Sequence, residues 1–127
     1  MVAASLNPRK FQNLKLTLAG EQRAFVPFET LKTLWFNTGT LCNLACENCY
    51  IESSPTNDAL VYLSAADVKI YLDEVESQHQ NTQEIGFTGG EPFVNPHMIE
   101  MLTMTLERGF NALILTNAMR PMLRASV

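Results

Sequence analysis

The chain has no apolar run of the length a membrane-spanning helix needs, and nowhere do three Lys or Arg residues stand together. The first absence argues against a bilayer span. The second, with a formal net charge of −4, argues against a nucleic-acid binder. Glycine and proline are scarce at 6 each, which is not the composition of a disordered or low-complexity segment. The segment Met1–Lys10 lacks the apolar stretch of a signal peptide, so a cytoplasmic location is expected. Cysteine is limited to 3 and histidine to 2. An odd number of cysteines packed close together is no disulfide framework, and free thiols suit a reducing compartment.

What is present is a globular composition. Of the 127 residues, 46% are apolar and 17% charged, enough for one small domain or a piece of a larger one. All three cysteines fall in Cys42-Asn43-Leu44-Ala45-Cys46-Glu47-Asn48-Cys49. Thiolates gathered on one short loop suit a soft metal centre, an iron–sulfur cluster above all. Three ligands are one short of the usual four. Either a fourth comes from elsewhere or one metal position stays open for chemistry. A structural zinc site is the competing explanation, with His79 or His97 as the only histidine ligands available.

Asn13–Leu18 alternates apolar and polar residues, and Arg23–Phe28 follows the turn Ala19-Gly20-Glu21-Gln22, which predicts a β-hairpin with Pro27 confining its second strand to an edge. Thr33–Asn37 is a short, nearly continuous apolar run expected to be a strand buried on both faces, with Trp35 and Phe36 in the core. About 26 residues, Thr38 to Leu63, then pass without a period, a length of loop that is usually functional. Ser64 and Asp67 form a variant capping box for a helix carrying Val68, Leu72 and Val75 on one face. Glu84–Thr88 is the next strand, followed at once by Gly89-Gly90-Glu91-Pro92. A second helix is expected from Asn95 as N-cap, with Pro96 first, Ile99, Leu102 and Leu106 on its apolar face and Gly109 as its stop. Met98, Met101 and Met104 read as packing residues rather than a thioether site. Asn111–Thr116 is a third strand.

Alternating strands and helices imply an α/β fold with parallel strands and right-handed crossovers. Whatever follows each strand then lies on one rim, where the active sites of such folds sit. The Cys loop, Gly89-Gly90-Glu91-Pro92 and Thr116-Asn117 are thereby expected to converge. The Gly-Gly pair alone is equally well a tight turn. Its weight comes from its place beside the cysteines, where bare backbone can approach a ligand.

The loop Cys-x-x-x-Cys-x-x-Cys after the first strand and Gly-Gly-Glu-Pro after the second, in order over about residues 33–117, resemble the radical S-adenosylmethionine superfamily. The resemblance implies a parallel (β/α) half-barrel of about three strands, TIM-barrel-like, preceded by the hairpin. It implies that Cys42, Cys46 and Cys49 hold a [4Fe–4S] cluster whose fourth iron is chelated by S-adenosylmethionine, and that Gly89, Gly90 and Glu91 bind the amino end of its methionine moiety. One electron from the reduced cluster would cleave the sulfonium to methionine and a 5′-deoxyadenosyl radical, which abstracts hydrogen from a substrate. The family often sets an aromatic residue just before the third cysteine, against the adenine. Here Asn48 holds that place, so Tyr50 and, at the end of the third strand, Asn117 are the further cofactor-contact candidates; no catalytic residue beyond the cluster ligands is identified.

The family barrel contains more β/α units than this. On that reading residues 1–32 are the lead-in and hairpin, and 33–127 the N-terminal half of a truncated core, inactive alone or completed by another chain. The alternatives are an iron–sulfur fragment without turnover and a zinc-binding structural module. The expected partners are a small-molecule or peptide substrate and a reductant such as flavodoxin or ferredoxin, with no nucleic acid and no membrane. An open sheet edge also invites self-association.

Overall fold

The computed structural model describes residues 7–9 and 12–118. The tail expected to hold no further strand–helix unit lies, from residue 119 on, outside the described residues, as does most of the polar lead-in. Strands β1 (Thr33–Asn37), β2 (Glu84–Thr88) and β3 (Asn111–Ile114) form one sheet in the order β1-β2-β3. Both pairings are parallel, with Phe36 opposite Phe87 and Phe87 opposite Ile114. Helix α1 (Ala65–Gln78) crosses from β1 to β2, and α2 (Met98–Glu107) from β2 to β3. This is the parallel α/β arrangement that the element order implies, and it agrees with the half-barrel of about three strands that the resemblance implies.

Because side chains alternate along a strand, the register places Leu34, Phe36, Ile85, Phe87 and Ile114 on one face of the sheet. Both helices pack there: Phe36, Ile85 and Phe87 form the core with Val68 and Leu72 of α1 and Met98 and Met101 of α2. Each such burial contributes about 1.5–3 kcal/mol against the entropy of ordering the chain. Trp35, Gly86 and Leu113 line the other face. The expectation of a first strand buried on both sides is therefore corrected. Trp35 is 43% exposed, because both crossovers run over the same face.

Helix α1 begins as its sequence directs. Ser64 Oγ accepts from the Asp67 amide at 3.2 Å and donates to Asp67 Oδ2 at 2.6 Å, while the Ser64 amide donates to the same carboxylate. Val68, Leu72 and Val75 are buried. The Ser64 hydroxyl, then its amide, hold the Asp67 carboxyl below its ordinary value. A depressed folded-state pKa gives stability that is complete above the unfolded value and fades as pH falls through the folded one. Ser64→Ala should cost about 1 kcal/mol near neutrality. That cost should shrink in urea melts as pH falls below about 4, the ordinary aspartate range, where the carboxylate's share begins to be lost.

Helix α2 departs from expectation in start and phase. It begins at Met98, after a short 3₁₀ turn at Pro92–Val94. The N-cap position is His97 rather than Asn95, whose side chain braces the segment just before the helix. Asn95 Nδ2 donates to the carbonyls of Thr38 and Leu63, both at 2.9 Å, and its Oδ1 accepts from the His97 amide at 2.8 Å. The buried face is Met98, Met101 and Thr105, one residue out of phase with the expected stripe, and Ile99 and Leu106 face outward. Gly109 does end the helix, at φ +83° with its amide on the Leu106 carbonyl. Arg108 ties the two helices through Asp73 at 2.7 Å and Glu76 at 2.9 Å.

The leading hairpin contracts to a turn. A single antiparallel bridge joins Leu16 and Gln22, braced by Arg23 Nε on the carbonyls of Asn13 and Leu16. Phe25, Val26 and Phe28 are largely exposed, so no buried apolar face extends the bridge into a ladder.

Candidate functional site

The long loop after β1 owes its order to its own backbone. Leu41 and Ser54 form a parallel bridge, and the Cys42 amide donates to the Ser54 carbonyl at 3.1 Å. That bridge closes residues 42–53 into one lobe carrying all three cysteines. Turns within it run from the Cys49 amide to the Cys46 carbonyl and from the Glu52 amide to the Cys49 carbonyl. Thr40 Oγ1, buried, accepts from the Leu60 amide at 3.1 Å and holds the returning limb.

The Gly-Gly turn after β2 packs directly on this loop. The Gly90 amide donates to the Gly39 carbonyl at 2.8 Å and the Glu91 amide to the Leu41 carbonyl at 3.0 Å. At Gly90 a Cβ would strike the Leu41 carbonyl group, with the Thr40 carbonyl oxygen at 2.8 Å. At Gly89, φ is +136°, and a Cβ would lie 2.6 Å from the Gly39 carbonyl oxygen. The glycines are thus required by backbone-to-backbone packing between the two motifs. Their remaining surface faces a cleft.

That cleft, about 520 Å³, is lined by Cys46, Asn48, Cys49, Tyr50, Thr88, Gly89, Gly90, Ile114, Leu115, Thr116 and Asn117. Segments following all three strands therefore meet at the C-terminal rim, as the parallel order required. Tyr50 is 72% exposed, its hydroxyl 3.4 Å from Thr88 Oγ1. Asn117 bridges the end of β3 to the Cys loop, with Nδ2 2.9 Å from Asn43 Oδ1 and 3.7 Å from Cys42 Sγ. Thr88 and the apolar wall of Ile114 and Leu115 are cleft residues that the sequence did not single out, and Asn43 is a partner of Asn117 that it did not single out either. The signal for Thr88 was its place as the last residue of β2, on the rim itself.

Glu91 stands apart from the other site candidates. It is 2% exposed and lies beneath the cleft rather than in its wall. Its Oε1 accepts from the Phe93 amide at 3.0 Å and Thr116 Oγ1 at 2.8 Å, and its Oε2 from the Asn117 amide at 2.8 Å. This carboxylate clamps the end of β3 to the Gly-Gly turn.

Backbone amides point at two of the three sulfurs. The Leu44 amide points to Cys42 Sγ at 3.4 Å and the Ser53 amide to Cys49 Sγ at 3.3 Å. Amides of Ile51 first, then Ser53, hold the Cys49 thiol below its ordinary value, favouring the form that binds metal. Cys42 is buried, Cys49 half-buried and Cys46 exposed. Among the described residues no three His, Cys, Asp or Glu side chains converge on one ion position. The histidines stay apart from the loop. His79 caps α1 and meets Phe28 edge-on at 6.1 Å, and His97 Nδ1 lies 3.9 Å from Glu100 Oε2. No helix among the described residues is long and apolar enough to cross a membrane.

Fold and site together define a parallel α/β sheet with a three-cysteine loop and a glycine turn on its C-terminal rim. The chain belongs to the Radical SAM superfamily, whose family model matches residues 36–125. It is 40% identical over 76 residues to the antilisterial bacteriocin subtilosin biosynthesis protein AlbA of Bacillus subtilis (strain 168), a match covering 60% of this chain and 16% of that protein. Its fold is similar to the crystal structure of Streptococcus suis SuiB bound to S-adenosylmethionine, with a TM-score of 0.62 and 21% identity over 76% of this chain and 21% of that one. The chain thus covers less than a quarter of the length of either protein.

Proposed function

We propose that Cys42, Cys46 and Cys49 hold a [4Fe–4S] cluster and that the adjoining cleft binds S-adenosylmethionine for reductive cleavage to a 5′-deoxyadenosyl radical. The observation that supports this most is the meeting of the cysteine loop and the Gly89-Gly90 turn at one cleft of about 520 Å³, within the usual range for cofactor sites. The cluster, when bound, supplies the single electron that cleaves the sulfonium. The chain's own residues do the rest. The amides of Leu44 and Ser53 steady the thiolates, and Gly89 and Gly90 offer bare backbone to the methionine end. Ile114 and Leu115 give an apolar wall that limits water, which a reactive radical requires. Tyr50 and Asn117 flank the remaining opening. The likeness to a bacteriocin biosynthesis protein makes a peptide the substrate class to try first, with flavodoxin or ferredoxin as electron donor.

The test is anaerobic reconstitution with iron and sulfide. Broad visible absorbance that is lost in Cys46→Ala is the expected result, and a colourless protein would sink the proposal. Dithionite and S-adenosylmethionine are then added, and 5′-deoxyadenosine is measured by chromatography. A coloured protein yielding none above the Cys46→Ala background would leave an iron–sulfur protein without turnover.

A further inference from the structure

Among the described residues, one buried side-chain polar atom has no hydrogen-bond partner, the hydroxyl of Ser53. The residue is 5% exposed. An orphaned buried hydroxyl is destabilising, so one retained in a short ordered loop requires an explanation. Its position supplies one. Ser53 closes the cysteine lobe, next to the Leu41–Ser54 bridge that fixes the backbone, and its own amide already donates to Cys49 Sγ at 3.3 Å. The hydroxyl falls short of good hydrogen-bonding geometry with that sulfur. A neutral thiol is a poor acceptor, whereas a metal-bound thiolate carries charge and attracts a donor.

We infer that the Ser53 hydroxyl donates to Cys49 Sγ when that sulfur is a cluster ligand, and so raises the reduction potential of the cluster. Ser53 is a positioning residue: it touches the ligand, not the iron or the cofactor. The physical basis is that a hydrogen bond to a ligating sulfur stabilises the more negative, reduced state. The inference rests on the cluster-binding reading above, and the experiment separates the two.

The full chain and its Ser53→Ala and Ser53→Thr variants are reconstituted anaerobically and titrated with dithionite while the reduced cluster is followed by electron paramagnetic resonance. At a fixed ambient potential, Ser53→Ala should hold a reduced-to-oxidised ratio about threefold to tenfold lower than the parent, tenfold being 59 mV for a one-electron couple. Ser53→Thr, which keeps the hydroxyl, should stay near the parent. If Ser53→Ala takes up no cluster, Ser53→Gly, which also lacks the hydroxyl, is titrated in its place and must show the same fall in ratio. Equal potentials in parent and Ser53→Ala, equal shifts in both variants, or failure of both to take up iron would overturn it, since each outcome removes the hydroxyl as the cause. A parent chain that takes up no cluster fails the earlier reading instead.

Discussion

Gly90→Ala should separate the two motifs of the site and cost about 3 kcal/mol of folding stability, at the upper end for overpacking. The added Cβ meets the Leu41 carbonyl group, with Leu41 C at 2.7 Å and the Thr40 oxygen at 2.8 Å. These are backbone atoms of a loop pinned by its own bridge to Ser54, so they cannot rotate away as a side chain would. Relief requires the turn to lift, which breaks the Gly90–Gly39 and Glu91–Leu41 hydrogen bonds. Against a net stability of about 5–15 kcal/mol for a domain, the loss should be plain in urea melts of the metal-free chain. Cluster uptake and 5′-deoxyadenosine yield should fall with it. Gly86→Ala is the internal comparison. There the three nearest atoms to the Cβ all belong to the Trp35 ring, a side chain 43% exposed rather than backbone, so the cost should be clearly smaller. Equal losses at the two positions would mean that the Gly90 contact with the Cys loop does not carry the effect.

This contrast also marks where the sequence could be read and where it could not. The strand–helix alternation, the Ser64 cap and the spacing of the cysteines are local patterns, each decided within about ten residues. Parallel order then required the three strand ends to share a rim, and they do. What the residues did not disclose depends on partners far along the chain. The glycine pair suggested approach to a ligand, whereas its Cβ directions are filled by residues 39–41, about fifty positions earlier. Asn95 carried every mark of an N-cap. Its amide instead joins the ends of β1 and of the Cys loop through the Thr38 and Leu63 carbonyls, and α2 starts later. Trp35 looked like core because apolar pattern reports that a strand can be buried, not which face its crossovers cover. The alternation of Asn13–Leu18 was real, but a hairpin needs an apolar face to bury and its second limb found none.

Glu91 is where the two kinds of information diverge most, and its replacement is the second large effect. Family resemblance assigns it to the amino group of the cofactor, whereas its carboxylate here accepts from the Phe93 and Asn117 amides and the Thr116 hydroxyl. Glu91→Ala would leave two backbone amides without partners in a site 2% exposed. At about 1–3 kcal/mol for each unsatisfied donor, the expected loss is about 3–5 kcal/mol with no cofactor present. Glu91→Gln keeps one carbonyl oxygen and turns an NH₂ group toward a donor, so about half that loss is expected. A residue acting only as a cofactor ligand would behave in the opposite way. Its Gln variant would melt like the parent when empty and would lose affinity for S-adenosylmethionine alone. Urea melts of the apo chain, set beside cofactor titration of the reconstituted one, separate these roles. Stability that is unchanged in both variants would overturn the clamp. A loss in the apo protein would show that Glu91 reaches the cofactor site through Asn117 and the end of β3, by holding the third wall of the cleft against the other two.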